Sequence, residues 1–128
     1  MKNYIEYNKN PKDRKTSDCV VRAIAKAEDT DWYTIYDDLC ALGRKLGAMP
    51  NADVTYQEYL KSKGYEKVSI KVERGGTRPS VSELAATTKV GESIIIRVAN
   101  HLTVASNGNY YDVWNCGRKK VYLYWKKK

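Results

Sequence analysis

In "RKTSDCVVRAIAKAED", residues 14–29, a polar stretch gives way at Cys19 to Val20, Val21, Ile24 and Ala27 at three- and four-residue steps. That spacing lines one side of a helix, predicted over residues 18–27, with Ser17 or Thr16 as its N-cap. A second helix is expected over 31–46. Trp32, Ile35, Leu39, Leu42 and Leu46 form its buried stripe, and Gly47 stops it. Cys40 adjoins that stripe and reads as a small core residue. A third helix, 54–63, ends at Gly64. The period then changes to two in "EKVSIKV", 66–72, which reads as a half-buried strand. "GGTRPS", 75–80, is a turn, and Ser80 and Glu83 stand at capping-box spacing for a short fourth helix. "SIIIRVA", apolar on both faces, predicts a central strand. In "HLTVASNGNYYDVWN", 101–115, Asn107-Gly108 sets a type I′ turn between two strands. "KKVYLYW", 119–125, is a last strand, and residues 1–15 form an extended arm in which Pro11 discourages helix. Helices first and strands afterwards predict an α+β fold, N-terminal helices packed on a mostly antiparallel sheet, as one domain over 1–128.

Composition agrees with a packed globule: 128 residues, 42% of them hydrophobic. No apolar run approaches the ~18 residues of a membrane span, and the first fifteen positions lack the apolar stretch of a signal peptide. The expected localisation is cytoplasmic, with no membrane partner. Cys19, Cys40 and Cys116 are an odd set that matches no CxxC metal pattern, so thiols are expected, with no metal and no cofactor. The net charge is +8, concentrated at Lys9, Lys12, Arg14 and Lys15 and in two C-terminal clusters, Arg118–Lys120 and Lys126–Lys128. Such charge reads as a solvated face, or as a surface for an acidic protein or nucleic acid.

The candidate chemistry starts at Cys19. At the second or third position of a helix it would sit among unpaired N–H groups at the positive end of the dipole, and both favour thiolate. Asp18 opposes this unless its carboxylate turns away to cap the helix. The single histidine, His101, opens a strand immediately after Asn100 breaks the apolar run. A strand mouth can meet a helix end packed on the sheet, and Cys–His catalysis requires that meeting. A third group must orient the imidazole. With Asn107-Gly108 as the turn, Ser106 faces Asn109, Thr103 faces Asp112 and His101 faces Trp114. Asp112 is then diagonal to His101 on the same face. Asn115 falls on the opposite face unless a bulge intervenes. Both remain candidates, with Asp112 preferred because an anion stabilises imidazolium better than an amide does.

"TSDCVVRAIA" followed by "SIIIRVANHLTVASNGNYYDVWN" resembles the papain-like cysteine peptidase superfamily, nearest its small C39-like members. "DCVVRAIA" with the downstream "HLTV…NG…YDVWN" is also similar to small phage and prophage proteins of Gram-positive bacteria. The resemblance spans most of the chain. It implies a papain-like fold and the chain order Cys19, His101, then Asp112 or Asn115. In the family a Gln some six residues before the Cys supplies an oxyanion donor; here Asp13 holds that place and, ionised, donates nothing. The resemblance then leaves Asn10 or Thr16, with the Cys19 N–H, to donate. The family's separation of the third residue from the His lies nearer that of Asn115.

The expected activity is thiol-dependent acyl transfer, as a small peptidase or amidase acting on a peptide or protein substrate. The alternatives are a papain-like protein without turnover that binds an acidic host protein, with Tyr4, Tyr7 and Tyr110 on its surface, and a basic nucleic-acid module stacking bases on Tyr122, Tyr124 and Trp125. Peptide or protein is favoured over nucleic acid.

Overall fold

A computed structural model describes residues 3–128. In chain order the elements are β1 (Tyr4–Glu6), α1 (Cys19–Ala27), α2 (Trp32–Leu46), α3 (Asp53–Ser62), β2 (Tyr65–Ser69), α4 (Val81–Ala86), β3 (Ser93–Val98), β4 (His101–Ser106), β5 (Asn109–Asp112) and β6 (Leu123–Lys127). The fold is α+β. One six-stranded sheet, in the order β1-β5-β4-β3-β6-β2, is antiparallel except where β1 runs parallel to β5.

The apolar pattern explains the layers. Ile95, Leu102, Val104 and Trp125 pack with Val20, Ile24, Ile35, Leu39 and Leu60 on the side of α1, α2 and α3. Their neighbours along the strands, Ile94, Ile96, Val98 and Ala105, pack with Val81, Ala85, Cys116 and Val121 on the side of α4. Alternate residues of "SIIIRV" therefore serve two cores, and β3 and β4 occupy the middle of the sheet.

Local chemistry fixes the boundaries. Asp31 caps α2 by accepting from the Thr34 N–H at 2.7 Å, and Gly47 ends it at φ 71°. Leu46, expected in the buried stripe, is 40% exposed, because the last turn of α2 overruns the core. The Ser80–Glu83 capping box is closed in both directions, at 3.1 and 2.9 Å. Asn107 and Gly108 both have positive φ, 55° and 82°, as a type I′ turn requires.

Four boundaries differ from the sequence reading. The extended arm contains a strand: Asn3 anchors it by donating to Ser82 O and Gly108 O, and its own carbonyl accepts the Tyr110 N–H, so β1 covers the open edge of β5. Asp18, rather than Ser17 or Thr16, holds the N-cap position of α1, without a side-chain cap bond, and Cys19 is the first helical residue rather than the second or third. β2 ends at Ser69, and Val72 lies outside it, exposed. The last strand begins at Leu123, because residues 119–121 are held beside 79–81: Val121 N donates to Pro79 O, Val81 N to Lys119 O, and Ser80 bridges Lys120.

Candidate functional site

The ends of three elements meet beside the start of β4, within the sheet. Cys19 begins α1, His101 begins β4 and Asp112 ends β5. α1 packs its apolar stripe on Leu102 and Val104 of β4, which sets its N-terminus over the mouth of that strand. The hairpin register pairs Ser106 with Asn109, Ala105 with Tyr110 and Val104 with Tyr111, the pairing expected from the turn. Continued by one residue, it places Asp112 diagonal to His101, and the His101 Nε2 stands 2.5 Å from the Asp112 Oδ2. That leaves Nδ1 as the ring nitrogen for another partner. Cys19, His101 and Leu102 line the same cleft.

Charge runs through this contact in alternation. The Asp18 carboxylate makes no cap bond to α1. It accepts from the Arg22 Nη1 at 2.5 Å, the Asn10 Nδ2 at 3.0 Å and the Trp32 Nε1 at 2.9 Å. Arg22 reaches on to the Asp112 Oδ1 at 3.5 Å. The sequence of groups is thus Asp18, Arg22, Asp112, His101, Cys19, each neighbour opposite in sign when thiolate and imidazolium form. Burial pushes the Cys19 thiol up, but the hydrogen bonds from His101 and the Leu102 backbone and the charges of His101 and Arg22 pull harder, and its pKa is lowered. Burial likewise disfavours a charged His101, yet Asp112, Cys116 and Cys19 raise it to about 11. Burial raises Asp112, while His101, Thr103 and the Val113 N–H hold it below the usual carboxylate value. The Arg22 N–H donates to the Asp18 O, and the N–H groups before it at the start of α1 have no acceptor within the helix.

Two further residues flank the imidazole and its carboxylate. The Trp114 ring, 40% exposed, stands 4.9 Å from the His101 ring and shields one side of it from water. The pairing of residues 101 and 114 already indicated this contact. Cys116 is wholly buried with its Sγ 3.5 Å from the Asp112 Oδ2. No periodicity signals it, because the chain leaves the strand after Asp112 and turns back. His101, Asp112 and Cys116 place their donor atoms within 4.8 Å of one another. The 2.5 Å between imidazole and carboxylate admits a proton. Two ligands of a tetrahedral metal must stand about 3.4 Å apart at the usual bond lengths, and Arg22 already occupies the other oxygen of Asp112.

The remaining sequence candidates separate. Asn115 does not approach His101: its Oδ1 accepts from the Tyr110 hydroxyl at 2.5 Å and the Gly117 N–H at 3.0 Å, closing the loop that carries Cys116. Asn10 is committed to Asp18 through its Nδ2, and its Oδ1 accepts from the Lys12 and Arg14 N–H groups, so its amide is not presented to the sulfur. Asp13 faces Asn8. Thr16 is exposed and lines an open cleft of about 660 Å³ with Cys19, His101, Trp114, Tyr56 and Arg97. Of the aromatic residues assigned to partner surfaces, Tyr110 and Trp125 are buried; burial of the strand face that carries Trp125 removes it from stacking.

No protein-family model matches the chain, and no curated protein or solved structure matches it either. Among the described residues no helix is long and apolar enough to cross a membrane.

Proposed function

We propose that the chain is a small papain-like thiol hydrolase of peptide or amide bonds. The observation that carries this reading is the junction of Cys19, His101 and Asp112 at the head of an open cleft, with the thiol pKa lowered and the imidazole pKa raised. In this reading the Cys19 thiolate attacks the substrate carbonyl carbon, forming a C–S bond. First-turn N–H groups of α1 receive the oxyanion. The imidazolium gives its proton to the departing amine, and the C–N bond breaks. The neutral imidazole then takes a proton from water, whose hydroxide displaces the thiolate from the thioester. Asp112 acts through Nε2, fixing the ring so that Nδ1 serves the sulfur.

Iodoacetamide at pH 6 tests the reading. Cys19 is expected to be alkylated at least tenfold faster than Cys40 or Cys116, and Cys19→Ala is expected to abolish turnover of a fluorogenic peptide. Equal, slow alkylation of the three thiols removes the basis for a nucleophile. One observation supports a second reading, a papain-like protein that binds without turnover: Asn10 and Asp13 both point elsewhere, so side-chain donors to the oxyanion reduce to Thr16. Such a protein keeps its biological effect as Cys19→Ala, whereas an enzyme loses it.

A further inference from the structure

The cleft beside Cys19 carries an excess of positive charge. Lys15, Arg22 and Arg97 line it against a single carboxylate, Asp53. Arg22 is committed to Asp18 and Asp112, but Arg97 and Lys15 are not consumed by the Cys19 site. Lys15 is exposed and has no ion-pair partner among the described residues. Arg97 pairs with Leu102 across the β3–β4 ladder, and Arg97, Leu102 and Cys19 line the same cleft. The stem of Arg97 therefore rises about one strand spacing, ~4.8 Å, from the Leu102 backbone in that cleft. Its Nη1 donates to the Tyr56 hydroxyl at 3.3 Å, which fixes the guanidinium plane, and its Nη2 meets the Asp53 Oδ2 at 3.1 Å. The Arg97 and Asp53 side chains are a third and more than half exposed. An exposed pair of this kind holds weakly, so another carboxylate can replace Asp53 on the same fork.

We infer that the cleft is a subsite for an acidic residue of the substrate, whose side-chain carboxylate pairs with Arg97 in place of Asp53, within a residue or two of the bond presented to Cys19. Lys15, which lines the same cleft, adds charge. This rests on the proposed hydrolase reading for its orientation, but the binding step is measurable without turnover. Asp53 then acts as an internal occupant that any neutral or basic residue fails to displace.

Cys19→Ala protein supplies the test, with fluorescein-labelled eleven-residue peptides of glycine and serine that differ only at one central position: Glu, Gln or Lys. The Glu peptide is expected to bind at least tenfold more tightly than the Gln peptide in fluorescence polarisation, with the difference shrinking as salt rises. Adding Arg97→Gln is expected to erase that preference, and Asp53→Asn to tighten the Glu peptide severalfold, with melting curves confirming that each variant is folded. A peptide amidated at its C-terminus and one with a free carboxylate distinguish a side-chain carboxylate from a terminal one. Equal affinities for the Glu and Gln peptides overturn the inference, as does an unchanged preference in Arg97→Gln. A Glu preference in the variant combined with no turnover of any peptide by the wild-type protein keeps the subsite and removes the hydrolase reading.

Discussion

Asp112 is the residue on which the site converges. It meets His101 at one oxygen and Arg22 at the other, and receives the Val113 N–H. Replacing it with Asn keeps the shape and removes the charge opposite the imidazolium, so kcat/KM for a peptide is expected to fall by roughly 10²-fold, within the range of general acid–base contributions. Asn115→Ala touches neither the ring nor the sulfur. It is expected to leave kcat/KM within about threefold and to cost about 1 kcal/mol in urea unfolding, for its lost hydrogen bonds. The reverse result would return Asn115 to the position the family spacing suggests. The pH dependence follows from the same charges. The thiolate–imidazolium pair exists above the lowered pKa of Cys19 and below the pKa of His101 at about 11. The acid limb of Cys19 alkylation is therefore expected to lie at lower pH than that of an ordinary thiol, about 8.5. Arg22→Gln removes one charge that lowers the thiol pKa and is expected to move the acid limb of that profile upwards.

At the scale of elements, the loop after β5 does what no strand pattern announces. It folds Cys116 under the sheet and holds it with the Tyr110–Asn115–Gly117 contacts. A Cβ on Gly117 would overlap the Tyr110 hydroxyl. Gly117→Ala is thus expected to cost about 1–3 kcal/mol, as overpacking does, and to expose Cys116 to a thiol reagent in the native state, which mass spectrometry of labelled peptides reads directly. Elements whose stops are written in one or two residues were legible beforehand: the Asn107-Gly108 turn, the Ser80–Glu83 box, Gly47 after α2. From that turn alone the facing residues of β4 and β5, and hence Asp112 beside His101, could be counted. Elements set by distant partners were not legible. β1 exists because β5 has an open edge, and β6 starts late because residues 119–121 are already bonded beside residues 79–81. The turn of Asp18 toward Arg22 had a weak signal, an i,i+4 opposite-charge pair, but the Trp32 and Asn10 contacts that fix it come from elsewhere in the chain.

Over the whole molecule, one sheet serves two cores, and this couples them. Ile95, at the centre of β3, belongs to the core under α1, α2 and α3, and Ile96, the next residue, to the core over α4. Neither layer can lose the sheet without exposing the other, so the two faces should unfold together. Ile96→Ala tests this, because Ile96 is fully buried on the α4 side. Its loss is expected to cost about 2–5 kcal/mol, which for a domain of this size lowers Tm by roughly 3–5 °C per kcal/mol. Most of the helical circular dichroism comes from α1, α2 and α3 on the opposite face, and Trp125 reports from that face too. If the sheet couples the layers, both signals shift by the same amount as a near-ultraviolet tyrosine signal that includes Tyr110 on the α4 side. An early transition seen only on the α4 side, with helix content and Trp125 emission unmoved, would mean that α4 and the loop bearing Cys116 form a separate unit. The backing of His101 and Asp112 would then open without the rest, and Cys19 reactivity would fall at that first transition rather than at the second.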